Sequence, residues 1–253
     1  MDNFEENMEN DEPIVIKMEQ VMGLLETQII SKSFIFMFVA LLISAFAAHS
    51  VNLKVADELL NSKGIYISIL IQIGAVLGGK RAITKNIPIL VTVCYIAHSY
   101  LTGINLSVLF GGIANMAVTS IFVITAIVFL IMAIYGLVTD TNMSSLGTIL
   151  LMVIVGVALA VLVNRFILKS GLAAIIVNCV GVLIFVGMTA YDMYMIKRRV
   201  KETKEENILV LALYGGFELY LDFIDIFVSL LSSCIVNKRR RRLERWKEFL
   251  GKH

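Results

Sequence analysis

The chain has 253 residues, of which 58% are hydrophobic and 17% are charged, and its formal net charge is +2. Soluble domains carry about 25% charged residues, and apolar runs of about 20 residues are typical of membrane proteins. The composition therefore excludes an ordinary soluble domain and predicts an all-α, polytopic membrane protein with a single domain.

Charge is distributed unevenly along the chain. The first twelve residues hold six acids and no base, whereas the last sixteen hold eight Lys or Arg against two Glu. We predict three parts: a polar, acidic N-terminal segment with a candidate amphipathic helix at 1–31, a seven-helix transmembrane domain at 32–236, and a basic amphipathic tail at 237–253. Because Trp246 and Phe249 lie at helical spacing with bases on the other face, the tail is a candidate for binding anionic lipid. A merely solvated tail is the alternative.

Apolar runs long enough to cross a bilayer follow one another with short connections, so consecutive helices should be antiparallel neighbours. The predicted spans are Ser33–His49, Gly64–Gly79, Ile87–Leu106, Ile113–Val138, Leu146–Val163, Leu172–Ile196 and Ile208–Val236.

Topology follows from the bases, which cluster after the second and sixth spans. Such clusters lie on the cytoplasmic side, so we expect a cytoplasmic N-terminus, in a bacterial cytoplasmic membrane. Seven full spans would then place the basic tail outside, against the same rule. The alternative is that Ile208–Val236 forms a re-entrant hairpin that bends at Gly215 and Gly216.

The final span carries acids, which are unusual in a membrane-spanning helix. Glu218, Asp222 and Asp225 are spaced by four and three residues, which places them on one helical face. An acid at the bilayer centre costs about 2.5–3.5 kcal/mol on insertion scales, so it normally faces a helix bundle, water or a partner. Another acid, Asp192, ends the sixth span.

We predict that Asp192 meets Asp222 between the sixth and seventh spans. Two carboxyl groups held close in a low dielectric cannot both ionise cheaply, so they tend to share one proton. The pair would hold the two helices together with the proton and repel itself without it, which makes it a candidate pH sensor and gate. The alternative is that Lys197 or Arg198 neutralises Asp192, and that Asp222 only completes a local hydrogen bond.

Three segments resemble a known family. They are TDTNMSSLGTILLMVIVGVALAVLVNRFILKS, VGVLIFVGMTAYDMYMIK and LYLDFIDIF, and they are similar to the last three segments of the transmembrane Bax inhibitor motif-containing family. Members of that family close the sixth span with Tyr-Asp and carry Leu-Tyr-Leu-Asp-Phe-Ile-Asn in the seventh. Here these residues are Tyr191-Asp192 and Leu219 through Asp225, with Asp225 in place of the usual Asn. The resemblance is strong over residues 139–232 and weaker over residues 24–138.

The resemblance implies a seven-helix fold in which the last helix is central and is wrapped by two three-helix layers. It also implies a calcium leak controlled by pH through a di-aspartyl unit, which would be Asp192 with Asp222. Family members are thought to latch the closed pore with a base after the second span. Arg81 is the nearest candidate for that latch, and Lys80 is the second.

On this interpretation Glu218, Asp222 and Asp225 line the path of the ion, and Asp192 with Asp222 forms a weak candidate calcium site. We expect no cofactor apart from the transported calcium ion. The expected partners are the lipid bilayer, calcium ions, protons and anionic lipid at the basic tail, with no nucleic acid, and we expect a monomer.

Other classes of function stay open. A membrane protein that regulates partners in stress or cell death, without conducting ions, would fit the charged ends. An intramembrane aspartyl protease would also place two aspartates on neighbouring spans, but its Gly-x-Gly-Asp pattern is Leu-Tyr-Leu-Asp at Leu219–Asp222 and its Pro-Ala-Leu element is absent. We therefore expect no enzyme.

Overall fold

The computed structural model describes residues 2–50, 64–110, 115–139, 141–202 and 208–250, which form helices with short connections and, within these ranges, no strand. Seven helices within these ranges are long and apolar enough to cross a membrane. They are α1 (Asp2–Ser50), α2 (Gly64–Thr84), α3 (Pro88–Phe110), α4 (Asn115–Val138), α5 (Ser144–Val163), α6 (Gly171–Glu202) and α7 (Ile208–Leu250), and a π-helical turn at Asn164–Leu168 extends α5. The predicted all-α membrane fold with seven spans is confirmed.

Each predicted span coincides with one helix, and most of their ends differ by a few residues. The largest differences are at the two terminal helices. The helix α1 begins at Asp2 and contains the predicted N-terminal segment as well as the first span, and α7 continues from the seventh span through the basic tail. Ile113 and Ala114, predicted to begin the fourth span, lie outside the described residues, as do Met1 and the last three residues of the tail.

The hairpin alternative for the last span is wrong, because α7 is one continuous helix from Ile208 to Leu250. Gly215 and Gly216 do not bend it; they allow α1 to approach closely. A Cβ atom on Gly215 would collide with the Ser33 hydroxyl, and one on Gly216 would collide with the Phe36 side chain. Glycine is therefore required here by the helix contact and not by an unusual backbone conformation.

The helix α7 is central to the packing. It packs against α1, α3, α4 and α6 and touches α2, and further contacts join α1 to α3, α2 to α3, α4 to α6 and α5 to α6. Large α7 side chains are fully buried, among them Phe217, Leu219, Tyr220, Ile226 and Leu231. The arrangement of the other six helices as two layers of three stays a prediction.

The outer surface of the bundle is apolar, as a lipid-facing surface should be. On α2, α4, α5 and α6, large aliphatic side chains are more than half exposed, including Leu70, Ile131, Leu151 and Leu183. These side chains occupy faces that point away from α7, so the apolar residues are divided between the helix contacts and the lipid.

Replacing Gly215 by leucine should separate α1 from α7. The added side chain has no space beside Ser33, and overpacking of this kind costs about 1–3 kcal/mol. The temperature of thermal unfolding in detergent should fall. Gly156→Leu in α5 is the matched control, because a Cβ atom there meets nothing within 4 Å. An equal loss of stability in both variants would contradict the proposed close contact.

Candidate functional site

The structure brings Asp192 of α6 and Asp222 of α7 together. Their carboxyl groups lie within hydrogen-bonding reach, and the two residues are only 6% and 4% exposed. Tyr191 packs its ring against Gly147 of α5, so the next residue on α6, Asp192, turns towards α7. The Oδ2 atom of Asp222 has no hydrogen-bond partner in the described chain. Two ionised carboxylates cannot hydrogen-bond to each other, so a bond within this pair requires a proton.

Glu218 lies one turn before Asp222 on α7 and forms an ion pair with Lys80 at the end of α2. The Lys80 Nζ atom is 3.2 Å from the Glu218 Oε1 atom, and the two side chains are 52% and 8% exposed. Arg81, the nearer latch candidate in the sequence analysis, is exposed and forms no ion pair with the described residues. Geometry therefore favours Lys80 over Arg81 as the base that contacts the acidic helix.

A second base, Arg199 of α6, belongs to the same site. Its charge acts on Asp192 together with that of Lys80, and its guanidinium group lies 4.5 Å from the centre of the Tyr214 ring on α7. From sequence, Arg199 is one of the bases that follow the predicted sixth span. The available signal was its position seven residues after Asp192, which places both residues on the same face of a helix.

Lys197 and Arg198, at the same end of α6, do not neutralise Asp192. Lys197 donates a hydrogen bond of 2.8 Å to the Leu137 carbonyl oxygen, and Arg198 binds the Glu202 carboxylate and the Ser144 hydroxyl. The alternative in which Lys197 or Arg198 satisfies Asp192 is therefore wrong. Both bases tie α6 to the connection between α4 and α5 instead.

Asp225 lies one turn after Asp222 and within its electrostatic reach, but it faces a different space. It lines a cavity of about 270 Å³ between α5, α6 and α7, which it shares with Asn178 and Ser229. Its carboxyl group makes no hydrogen bond or ion pair with the part of the chain that the structure describes. The three acids of α7 thus share one face of the helix, as predicted, but they meet different surroundings.

The opposite side of α7 is held by neutral groups. The Tyr220 hydroxyl and the Ser44 hydroxyl of α1 are 2.7 Å apart, and Ser44 also donates to the Ser99 carbonyl oxygen of α3. The Tyr95 hydroxyl of α3 donates to the Gly216 carbonyl oxygen over 2.7 Å. These bonds contain no group that changes charge near neutral pH.

Among the described residues, no group of three His, Cys, Asp or Glu side chains could hold a metal ion. His98 stacks edge-on against Phe217 and Tyr220 and is a core residue. Calcium binding by Asp192 and Asp222 stays a prediction.

These features define an integral membrane protein of seven helices whose central helix carries buried acids. Residues 26–240 match the family model described as "Inhibitor of apoptosis-promoting Bax1". The chain belongs to this Bax inhibitor-like family, as the resemblance in its sixth and seventh spans indicated.

Similar proteins occur in several bacteria. The chain is 35% identical over 201 residues to the inner membrane protein YbhL of Escherichia coli K12. This match covers 77% of the present chain and 86% of YbhL. It is 34% identical over 213 residues to an uncharacterized protein of Borreliella burgdorferi, a match that covers 82% of the present chain and 91% of the relative. An uncharacterized membrane protein of Streptococcus pyogenes serotype M1 is 34% identical over 174 residues, with 68% and 75% covered.

Replacing Lys80 by methionine should destabilise the protein by about 1 kcal/mol, because it leaves the buried Glu218 carboxylate without its counter-charge while the exposed lysine itself contributes little. Thermal unfolding in detergent measures the effect. Arg81→Met removes the same charge from the neighbouring position and should leave the unfolding temperature unchanged. A larger effect for Arg81→Met than for Lys80→Met would contradict the assignment.

Proposed function

We propose that the protein is a pH-sensitive calcium leak channel, gated by the proton that Asp192 and Asp222 share. One observation carries the proposal: the buried carboxyl groups of Asp192, Glu218 and Asp222 act on one another, and among the described residues two bases reach this group. Lys80 and Arg199 act on Asp192, and Lys80 also pairs with Glu218. If all three acids were ionised, one buried negative charge would have no counter-charge. A single proton on the aspartate pair balances the site, because an unpaired buried charge is strongly disfavoured.

Loss of that proton provides the opening step. When the pair is doubly ionised, two negative charges repel each other across the contact between α6 and α7. Because the proton leaves as the pH rises, the proposal gives a closed state at the lower pH and a leak that increases towards the higher pH. The hydrogen bond between Asp192 and Asp222 is lost in the same step.

The packing supports a proposal for which helices separate. Tyr220 and Gly216 hold α7 to α1 and α3 through hydrogen bonds that do not respond to pH near neutrality. Lys197 and Arg198 hold the end of α6 to the α4–α5 connection. We therefore expect α6 to move with α4 and α5, away from α7 and its neighbours α1 and α3.

Calcium suits the groups that such a movement would expose. It is a hard cation that prefers oxygen ligands, and carboxylates are the strongest of these. Glu218, Asp222 and Asp225 are the carboxylates that would line the path along α7. In the closed state Lys80 forms an ion pair with Glu218 and keeps its carboxylate from the ion, so Lys80 would act as the latch.

The proposed setting is a bacterial cytoplasmic membrane, since the relative in Escherichia coli is named as an inner membrane protein. The clusters of bases at the ends of α2 and α6 support a cytoplasmic N-terminus. Because α7 is continuous, the basic tail then lies on the opposite side. A monomer is sufficient, since α6 and α7 provide both sides of the gate.

Calcium flux into proteoliposomes, recorded with an entrapped indicator between about pH 5 and pH 8, tests the gate. We expect the flux of the wild type to rise with pH. Asp222→Asn, and the double variant with Asp192→Asn, should lose this dependence because no carboxyl pair remains to share a proton. Asp225→Asn is the matched control: it removes an acid from the same helix face and should keep the pH dependence, whatever its effect on the flux itself.

Two outcomes would contradict the proposal. If the double variant retains the pH dependence of the wild type, Asp192 and Asp222 are not the gate. Folded protein with no calcium flux at any pH would instead favour a regulatory membrane protein that does not conduct ions.

The latch is tested separately by its effect at a single pH. Lys80→Met should raise the calcium flux at the pH where the wild type is closed, because Glu218 is then free to attract the ion. Arg81→Met should leave that flux at the level of the wild type. If only Arg81→Met opens the channel, Arg81 is the latch and the Lys80–Glu218 pair is structural.

A further inference from the structure

We propose that the protein binds one anionic phospholipid in a basic groove at the other end of α7. The groove is a cavity of about 740 Å³ between the α5–α6 connection, the start of α6 and the basic part of α7. Its lining contains three bases, Lys169, Arg239 and Arg240, and no acid. Glu244, one turn further along α7, pairs with Arg240, so Lys169 and Arg239 retain most of the local positive charge.

The location suits a lipid headgroup. Lys169 lies in the short connection between two membrane spans, and Arg239 follows directly on the apolar part of α7. Both bases therefore lie where a helix leaves the hydrocarbon layer. Basic pockets between transmembrane helices bind anionic lipid headgroups at the cytoplasmic surface, and the same charge complementarity applies to phosphatidylglycerol at the opposite surface.

The shape of the groove suits the rest of the lipid. Val161, Val177 and Asn178 line the basic cavity and also the cavity that Asp225 lines, so the two are neighbours. The walls of the second cavity are mostly apolar, with Ile154, Val157, Ala158, Ile184, Phe185 and Val228. A phosphate beside the bases would place an acyl chain against these apolar walls.

The backbone of Lys169 provides an independent observation. Its φ of 49° and ψ of 30° lie in the left-handed region, at a position after a helix where glycine is the usual residue. The turn is fixed by its neighbours, since the Lys169 amide donates to the Asn164 carbonyl oxygen and the Ser170 amide donates to the Asn164 side chain. The left-handed backbone at a residue other than glycine is consistent with a use for the charged side chain of Lys169.

Native mass spectrometry of the full chain, delipidated in detergent and titrated with phosphatidylglycerol or phosphatidylcholine, tests the proposal. The wild type should retain one phosphatidylglycerol in preference to phosphatidylcholine. Removing the three bases of the groove together (Lys169→Gly, Arg239→Gln, Arg240→Gln) should weaken that binding at least about tenfold. The matched control removes three bases of α7 outside the groove, Lys238→Gln, Arg241→Gln and Arg242→Gln, and should bind as the wild type does.

The single variant Lys169→Gly distinguishes the contribution of the lysine charge to lipid binding from its contribution to stability. It should weaken phosphatidylglycerol binding about fivefold, while the unfolding temperature stays level or rises because glycine relieves the left-handed backbone. If the groove variant and its control lose phosphatidylglycerol binding equally, the lipid is attracted to the basic tail as a whole, and the proposed binding site is wrong. A wild type that does not prefer phosphatidylglycerol, or that releases it to millimolar inorganic phosphate, would overturn the lipid as occupant.

Discussion

The structure depends on one constraint, the burial of carboxyl groups in a helix that crosses a membrane. Glu218 and Asp222 of α7 and Asp192 of α6 are each less than a tenth exposed, so all three need a counter-charge or a proton. Lys80 must therefore come from α2, and Arg199 from α6, to the same level of the bundle. The requirement fixes how far along α7 these two helices pack, because a shift of one turn would leave an acid unpaired.

The two sides of α7 are held by different chemistry. Towards α1 and α3, neutral hydrogen bonds, the close approach at Gly215 and Gly216 and the buried ring of His98 make a contact without a carboxyl group among the described residues. Towards α6 and α2, the contact contains groups that change charge. A helix held in this way can lose one neighbour while it keeps the others. That asymmetry, more than the presence of acids, makes a gate between α6 and α7 physically reasonable.

The ends of α7 also differ in charge. Glu218 and Arg239 are 21 residues apart, and at the rise of an α-helix this separation is about 32 Å, close to the thickness of the hydrocarbon layer. The acidic cluster and the basic groove thus lie near opposite faces of the membrane. The proposed proton and lipid sites would act on one rigid element from its two ends, and the cavity of Asp225 lies between them.

The sequence by itself determined the fold class, the seven spans and the family, because runs of apolar residues and their lengths depend only on local composition. It also predicted that Asp192 meets Asp222. A charged acid in a membrane span is unfavourable, and two such acids on neighbouring spans can lower this cost by sharing one proton. The tertiary structure was needed to show that Lys80, and not Arg81, contacts Glu218, that Arg199 belongs to the site, that Asp225 lines a cavity of its own and that α7 does not bend at Gly215. These outcomes depend on the rotation of each helix about its axis and on which helix packs where, and local sequence does not specify either.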